Sequence, residues 1–272
     1  MAKITTIEVK TLGELLDRVT PREPDPVTGR RRDAGVYRGS GHAEWPLLTS
    51  LDRLGGITPP HTKCGLEEHI LRNFVRYSRP HFPTPRNEWE LLVAAQHHGL
   101  PTRLLDWSYS PLVAAHFATL GERPGRDGQG TDRAVWRLDW QRVHKHFGFQ
   151  PFALLTADLN ALRHDPEADA LSPWELIREG PRSKPFAVLF EPPTLDERIA
   201  AQAAVFTIMS TTDRPFDRFL ADHGVLDALT KYVIPAEHVR VVRDQLDLVA
   251  MDERRLFPDL DGVAAQMRRY YS

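Results

Sequence analysis

Apolar positions recur at helical spacing in several parts of this chain, and polar capping residues mark where each of these segments begins. Thr11 followed by Glu14 is a capping box, and the apolar residues after it recur every three or four positions. Asn87 and Ser110 precede similar segments and can accept hydrogen bonds from free backbone amides. Five helices are predicted on this basis. One begins at Leu12, one runs from Asn87 to about His98, and one runs from Ser110 and Pro111 to about Leu120. A fourth lies at Ser172–Glu175 and is ended by Gly180, and a fifth runs from Ile199 to Ala204 after a capping box of Thr194 and Glu197.

Short apolar or alternating runs between these helices predict strands. The predicted strands are Ile4–Val9, Gly35–Arg38, Thr102–Asp106, Ala134–Leu138, Phe186–Phe190, Val205–Ile208 and Tyr232–Ile234. The helices are placed irregularly between the strands, which favours an α+β fold over regular βαβ winding. We predict a single domain over residues 1–272, with a core over 35–265 and an N-terminal strand-helix extension over 1–34. Exposed loops are predicted over 21–33 and 121–131, which are rich in proline and glycine respectively.

Composition and charge narrow the class of protein. The chain has 272 residues, of which 41% are hydrophobic and 26% charged, and its formal net charge is −2. These values are typical of a globular protein and argue against an extensive basic surface for nucleic acid. No apolar run approaches the roughly 18 residues of a membrane span. The single cysteine, Cys64, excludes an internal disulfide and a cysteine metal cage. We expect a soluble, cytoplasmic protein that contacts no membrane and holds no metal.

The first candidate for chemistry is Tyr37-Arg38-Gly39, where a strand ends in an arginine and a glycine. An arginine at this position could form paired hydrogen bonds with a phosphate. Gly39 would let a ligand approach the backbone closely. One arginine is not a motif, and a strand-end arginine paired with a surface carboxylate explains the same pattern.

A second candidate is the segment from Gln96 to Pro111, in which a helix end, a strand and a helix start follow in quick succession. Arg103 and Asp106 lie on opposite faces of the predicted strand, so one faces a cleft or both are paired. Ser108 and Ser110 lie where the chain turns into a helix, whose free amides attract anions. A purely structural network of Arg103 and Asp106 explains the pattern equally well.

Two further pairs share a helix face. Arg198 and Gln202 are four residues apart, and a buried glutamine amide could bind a ribose or nicotinamide, or only cap backbone groups. Glu90 and His97 are seven apart, roughly 10 Å between Cα atoms, which allows acid-base chemistry through a water molecule. Glycine-rich phosphate loops, a G-x-S-x-G turn and an H-E-x-x-H helix do not occur in the sequence.

Together these segments resemble the FRG-domain family, which is named for an aromatic-Arg-Gly motif. The resemblance spans about residues 35–265. It is carried by Tyr37–Gly39, the segment from Trp45 to Arg53, Glu90 followed by Gln96–Ser108, Ala115–Ala118, Arg198–Gln202 with Phe206 and Thr207, and Leu256–Gly262. The family tends to have glycine after the glutamine segment, where this chain has Ala203 and Ala204. If a ligand touches the backbone there, this protein would bind it differently.

The order of the same segments is similar to the ADP-ribosyltransferase superfamily. That similarity implies central split sheets, mixed or antiparallel, with flanking helices, and NAD as a co-substrate. It implies that Arg38 holds the pyrophosphate, assisted by Arg103, and that Phe117 lies near the nicotinamide. Ser108 and Ser110 would hold the ribose.

The superfamily usually places a glutamate at the reacting ribose, where this chain has Gln202. A neutral amide cannot supply the negative charge that stabilises the transition state, and losing such a partner costs about 10²–10³ in rate. The resemblance therefore implies that Glu90 or Asp106 acts with Gln202, or that the domain binds without reacting.

The leading hypothesis is an NAD-dependent ADP-ribosyltransferase that modifies a protein or nucleic acid, as a bacterial toxin or anti-phage effector with an antitoxin or other regulatory partner. One alternative is a non-catalytic module that binds a nucleotide or nucleic acid, in which Arg30–Arg32 could contact phosphates. A second alternative is a hydrolase that uses Glu90 and His97.

Overall fold

The computed structural model of the chain describes residues 3–55, 57–78, 80, 87–121, 130–161 and 185–271. Its helices are α1 (Leu12–Val19), α2 (Lys63–Ser78), α3 (Glu88–His97), α4 (Pro111–Thr119), α5 (Trp140–His146), α6 (Thr156–Ala161), α7 (Glu197–Ala201), α8 (Phe216–Asp222), α9 (Val239–Leu248), α10 (Glu253–Leu256) and α11 (Leu260–Tyr270). Its strands are β1 (Thr5–Glu8), β2 (Val36–Ser40), β3 (Leu105–Ser108), β4 (Arg133–Leu138), β5 (Leu154–Leu155), β6 (Ala187–Glu191), β7 (Ala204–Met209) and β8 (Leu229–Ile234). The helix predicted at Ser172 and most of the predicted 121–131 loop lie outside the described residues.

The strands form one mixed sheet in the order β1-β8-β4-β2-β3-β7-β6-β5. The β1–β8 and β5–β6 pairs are parallel, and the other neighbours are antiparallel. This confirms the α+β prediction. All seven predicted strands have a counterpart, but the one predicted over Thr102–Asp106 begins only at Leu105 and ends at Ser108, so Arg103 precedes it. The strand β5 was missed because two residues are too few to show alternation. The N-terminal strand β1 pairs with β8, so it is an edge of the sheet rather than an appended extension.

The sheet is nearly divided between β2 and β3. These two strands share a single register pair, Tyr37 with Ser108, whereas β2 and β4 share five pairs. The prediction of split sheets is therefore met only in part, because the two halves remain joined at this one point. Beyond it, the strands leave an opening in the sheet.

The hydrophobic core reflects the same division. One face of the sheet contributes alternate residues of β2, β3, β4, β6, β7 and β8 to a single apolar cluster. On the opposite face, α1, α4 and α9 cover β2, β4 and β8, while α2 and α3 cover β6 and β7. These are two separate clusters. The face therefore has a gap between them, at the opening between β2 and β3.

The predicted caps at Thr11, Asn87 and Ser110 are confirmed, since each side chain accepts a hydrogen bond from the amide three residues on. The predicted cap at Thr194 is wrong. Asp196 caps α7 instead, because its Oδ1 accepts from the Ile199 amide at 3.0 Å. The helix ends at Ala201, earlier than predicted, since Ala203 takes a positive φ of 45° before β7 begins.

Candidate functional site

A cavity of about 470 Å³ lies at the opening between β2 and β3. Its walls are formed by β2 and β3, the end of α3, the inner face of α4, and α7 with the start of β7. Cavities of this size hold small molecules and cofactors in other proteins. The two apolar clusters of this face border the cavity on either side.

Arg38 occupies the opening itself. By alternation its side chain belongs to the same sheet face as Val36, yet it reaches Asp106 on the neighbouring strand. Its Nη1 donates to the Asp106 carbonyl oxygen at 2.7 Å and lies 3.4 Å from Oδ2. The guanidinium thus satisfies a carbonyl that has no ladder partner on β2. Burial lowers the pKa of Arg38 while Asp106 opposes this, and an arginine stays charged in either case.

Asp106 is held by a chain of polar contacts. Gln96 Nε2 donates to both carboxylate oxygens at 3.0 Å, and Gln96 Oε1 accepts from Thr102 Oγ1 at 2.6 Å. The Asp106 side chain is 49% exposed, so a ligand can reach it. Among the described residues that line the cavity, Asp106 carries the one carboxylate.

Arg103 lies away from the cavity, which corrects the prediction that it assists Arg38. Its Nε donates to Glu67 Oε2 at 2.7 Å, and its backbone amide donates to Glu67 Oε1 at 2.9 Å. Both side chains are almost completely buried, at 3% and 0% exposure. Arg103 therefore pairs with a carboxylate of α2, and this pair joins α2 to the segment before β3.

Gly39 serves helix packing rather than the approach of a ligand. A Cβ atom at this position would lie 2.2 Å from the Ala114 carbonyl oxygen and 2.4 Å from the Ala118 amide of α4. Only glycine lets α4 lie this close to β2. The Tyr37 hydroxyl also has a structural role, because it donates a hydrogen bond to Asp33. The buried Tyr37 ring forms part of the cavity wall. Burial and Asp33 raise the pKa of Tyr37.

Ser108 and Ser110 have different hydrogen-bonding roles. Ser108 Oγ donates to the Gln202 carbonyl at 2.7 Å and accepts from the Ser110 amide at 3.0 Å. Its donor is therefore used to join β3 to the end of α7, although the residue lines the cavity. Ser110 does not line the cavity, and its hydroxyl caps α4 by accepting from the Val113 amide at 3.4 Å. The predicted ribose contact of Ser110 has no support in this arrangement.

Gln202, Phe117 and His97 all line the cavity, but Glu90 does not. Gln202 Nε2 donates to the Leu256 carbonyl at 3.0 Å. His97 Nε2 forms a close contact with Asp196, and burial lowers the His97 pKa while Asp196 opposes this. Glu90 lies in the first turn of α3, at the other end of the helix from His97. The cavity therefore does not bring together the acid-base pair proposed for a hydrolase.

Two arginines of the cavity were not among the predicted site residues. Arg53 lies in the 3₁₀ turn Asp52–Leu54, and Arg198 lies in α7. The helical spacing of Arg198 and Gln202 was the available signal, and both side chains do line the cavity. Arg38, Arg53 and Arg198 thus line the cavity together with Asp106, which carries the single carboxylate among the described lining residues. This excess of positive charge favours an anionic ligand.

The family model of the FRG domain matches residues 33–127, about a third of the chain. The match supports the resemblance to that family over the part of the chain that includes β2, α3, β3 and α4. Neither the curated proteins nor the solved structures contain a match to this chain. The segments with Arg198, Gln202 and Leu256 lie beyond the matched residues.

No helix in the described part of the chain has both the length and the apolar character needed to cross a membrane. The histidine, cysteine, aspartate and glutamate side chains of the described residues form no group of three or more that could hold a metal ion.

Proposed function

We propose that the cavity binds NAD and that the protein transfers ADP-ribose from NAD to a macromolecule. The observation that carries this proposal is the meeting of three arginines, one carboxylate and the Phe117 ring in a single cavity at the opening of the sheet. Arginines bind phosphate oxygens through paired hydrogen bonds, and an aromatic face can stack on a nicotinamide. These are the groups that a pyrophosphate-linked dinucleotide requires.

In this reaction the bond between ribose C1′ and the nicotinamide nitrogen breaks, and its electron pair leaves with nicotinamide. A nucleophilic atom of the acceptor then bonds to C1′ and loses its proton. Positive charge develops on the ribose as the bond breaks, so a carboxylate nearby stabilises the transition state. Asp106 is the group that we assign to this role, because Gln202 is neutral and Glu90 lies outside the cavity.

The test is release of nicotinamide and transfer of label from NAD to a cell lysate. We expect Asp106→Asn to reduce the rate by about 10²–10³-fold, as expected for loss of a preorganised charge. Asp227→Asn is the matched control, since Asp227 forms an exposed pair with Arg142 outside the cavity. Absence of nicotinamide release and of transfer at any protein concentration would overturn the proposal.

A non-catalytic nucleotide-binding module is the second candidate, and one observation favours it. Asp106 already accepts from Gln96 and lies beside Arg38, while the Gln202 amide nitrogen is used by Leu256. A carboxylate with these partners is less able to respond to charge on a ribose. Saturable NAD binding without nicotinamide release, in the same assay, would establish this alternative.

A further inference from the structure

We propose that Arg198, positioned by Phe257, is the residue that recognises the diphosphate of the ligand, so that the cavity selects ligands with two negative charges. This inference rests on the proposed function in taking the ligand to be a nucleotide. It concerns recognition alone, and it holds whether or not the protein cleaves NAD.

Arg198 is a cation for which the described residues supply no counterion. Its Nε is buried without a hydrogen-bond partner among them, and none of their ion pairs includes its guanidinium. Two carboxylates directly precede it in sequence. Glu197 is exposed, and Asp196 contacts His97 through Oδ2 and caps α7 through Oδ1. A partly buried charge without a partner is costly, so an anion in the cavity would stabilise it.

Four other buried or half-buried arginines of the described residues each have a carboxylate partner, whereas Arg133 contacts the Gly41 carbonyl instead. Arg103 has Glu67, Arg137 has Asp33, Arg243 has Asp247, and Arg269 has Asp247 and Glu253. The guanidinium groups of Arg103, Arg137 and Arg269 join separate segments through these carboxylates, and Arg243 pairs within α9. Arg198 instead lies against a ring and lines the cavity. Its environment is that of a binding residue rather than a structural one.

Phe257 holds the guanidinium in place. The Arg198 Cζ lies 4.6 Å from the centre of the Phe257 ring, which also contacts the Phe117 ring edge-on at 6.1 Å. The preceding Leu256 carbonyl accepts from Gln202 Nε2. The end of α10 therefore fixes three side chains of the cavity wall. A guanidinium already fixed by stacking loses little conformational freedom when it binds a phosphate.

The charges of the cavity indicate how many negative charges the ligand carries. Arg38 has a long contact of 3.4 Å with the Asp106 carboxylate. Arg53 is exposed, and within the described part of the chain its guanidinium donates to the Leu48 carbonyl alone, at 3.5 Å. Three guanidinium groups and one carboxylate leave an excess of two positive charges. A diphosphate, with a charge near two as part of a dinucleotide, matches this excess.

The experiment is calorimetric titration of the full chain with ADP and with adenosine, which lacks the phosphates. We expect Arg198→Gln to weaken ADP binding by about 10- to 100-fold, the usual range for a charged hydrogen bond, and to leave adenosine binding unchanged. Arg142→Gln is the control, because Arg142 lies in an exposed ion pair outside the cavity. Arg198→Lys, which keeps the charge but not the planar fork, should give an intermediate affinity.

A double-mutant cycle separates positioning from general damage. Phe257→Leu should weaken ADP binding in the wild-type background and have no further effect in Arg198→Gln, because its contribution passes through that side chain. Thermal unfolding of each variant checks that the fold is retained. If Arg198→Gln does not fold, Arg198→Lys and Phe257→Leu carry the test.

The outcomes distinguish this inference from the proposed function. ADP binding that depends on Arg198, without cleavage of NAD, would support the inference and overturn the transferase. NAD cleavage with a KM unchanged in Arg198→Gln would leave the transferase and overturn the inference. Equal loss of ADP and adenosine binding, or no ADP binding by the wild-type protein, would also overturn it.

Discussion

Two arginines near the opening of the sheet, Arg38 and Arg103, have different roles. We call the surroundings of Arg38 the cavity side and those of Arg103, where helices cover the chain, the packed side. Arg103 lies on the packed side, where Glu67 receives both its Nε and its backbone amide and both side chains are buried. Arg38 lies on the cavity side, where its contact with the Asp106 carboxylate is 3.4 Å long and Asp106 is 49% exposed. The Arg103–Glu67 pair is buried and inaccessible to a ligand, whereas Arg38 can exchange its contact with the Asp106 carboxylate for a contact with a ligand.

The difference teaches that burial and pairing decide the role of a charge more than its place in a motif. Both arginines belong to segments that resemble the FRG-domain family. Only Arg38 faces the cavity, because the single Tyr37–Ser108 pair leaves room for its side chain between the strands. Arg103 precedes β3 and points toward α2, where a carboxylate is already placed.

The largest change in the free energy of unfolding is expected from a substitution on the packed side. Glu67→Ala should lower the free energy of unfolding by about 3–5 kcal/mol, because it removes the carboxylate that pairs with the buried Arg103 charge. Asp106→Ala should cost about 1 kcal/mol or less, since Arg38 can then contact water or a ligand. Urea unfolding of both variants measures the contrast. Equal losses would show that the two pairs do not differ as described.

Gly39→Ala tests whether β2 is positioned by helix packing. The added Cβ would meet backbone atoms of α4 at 2.2 and 2.4 Å, so we expect a loss of about 3 kcal/mol or failure to fold. Gly13→Ala in α1 is the matched control, because its nearest neighbour would be the Thr11 hydroxyl at 3.8 Å. That change should leave stability unchanged or raise it by up to about 1 kcal/mol. A stable Gly39→Ala variant that has only lost ligand binding would favour a ligand contact instead.

The packed side should also make stability depend on pH through His116. This residue of α4 is buried and accepts from Arg243 Nη1 at 2.9 Å, and burial with the Arg243 charge lowers its pKa to about 4. Glu253 and the Met251 carbonyl oppose the shift, and Arg269 adds to it. The folded state therefore favours neutral His116, while the unfolded state gains a proton below about pH 6.5.

Because the unfolded state binds a proton on His116 at a higher pH than the folded state, stability falls as the pH falls. The contribution of His116 is complete well above pH 6.5 and is lost as the pH falls toward 4, by about 1.6 kcal/mol between pH 6.5 and 5. Burial lowers the pKa of His97 and His144 as well, so their contributions have the same direction. His116→Gln should reduce the slope of unfolding free energy against pH over this range. A slope equal to that of the wild-type protein would contradict the assignment.

The smallest expected effect is at the rim of the cavity. Ala203 has a φ of 45°, in the left-handed region that favours glycine. Ala203→Gly should raise the free energy of unfolding by about 1 kcal/mol because it relieves the Cβ contact with the backbone. Ala200→Gly, inside α7, should lower it by about the same amount. Thermal unfolding measures both, and a destabilised Ala203→Gly variant would show that the Cβ makes a favourable contact.

This position also explains a departure noted in the sequence. The family tends to have glycine after the glutamine segment, where this chain has Ala203. In the structure the backbone itself requires an unusual conformation there, since α7 ends at Ala201 and β7 starts at Ala204. The Ala203 carbonyl accepts from the Tyr109 amide at 3.1 Å, which ties the turn to β3.

Local signals in the sequence predicted the longer strands, the helices α1, α3, α4 and α7, and part of the cavity, but not the other seven described helices. Alternation predicted the strands, and capping residues such as Thr11 and Asn87 predicted helix starts, because these depend on contacts within a few residues. The helical spacing of Arg198 and Gln202 placed both on one face for the same reason. Tyr37–Gly39 and Asp106 were predicted as site residues, and the structure places all of them in the cavity wall.

The partners of these side chains were decided only by the tertiary structure. Glu67 lies 36 residues before Arg103, and Leu256 lies 54 residues after Gln202, so neither contact leaves a periodic signal in the sequence. The single pair between β2 and β3 is likewise a property of the assembled sheet. Which charged groups face a ligand and which are closed depends on such long-range pairings, because a charge is buried only where the fold brings a counterion to it.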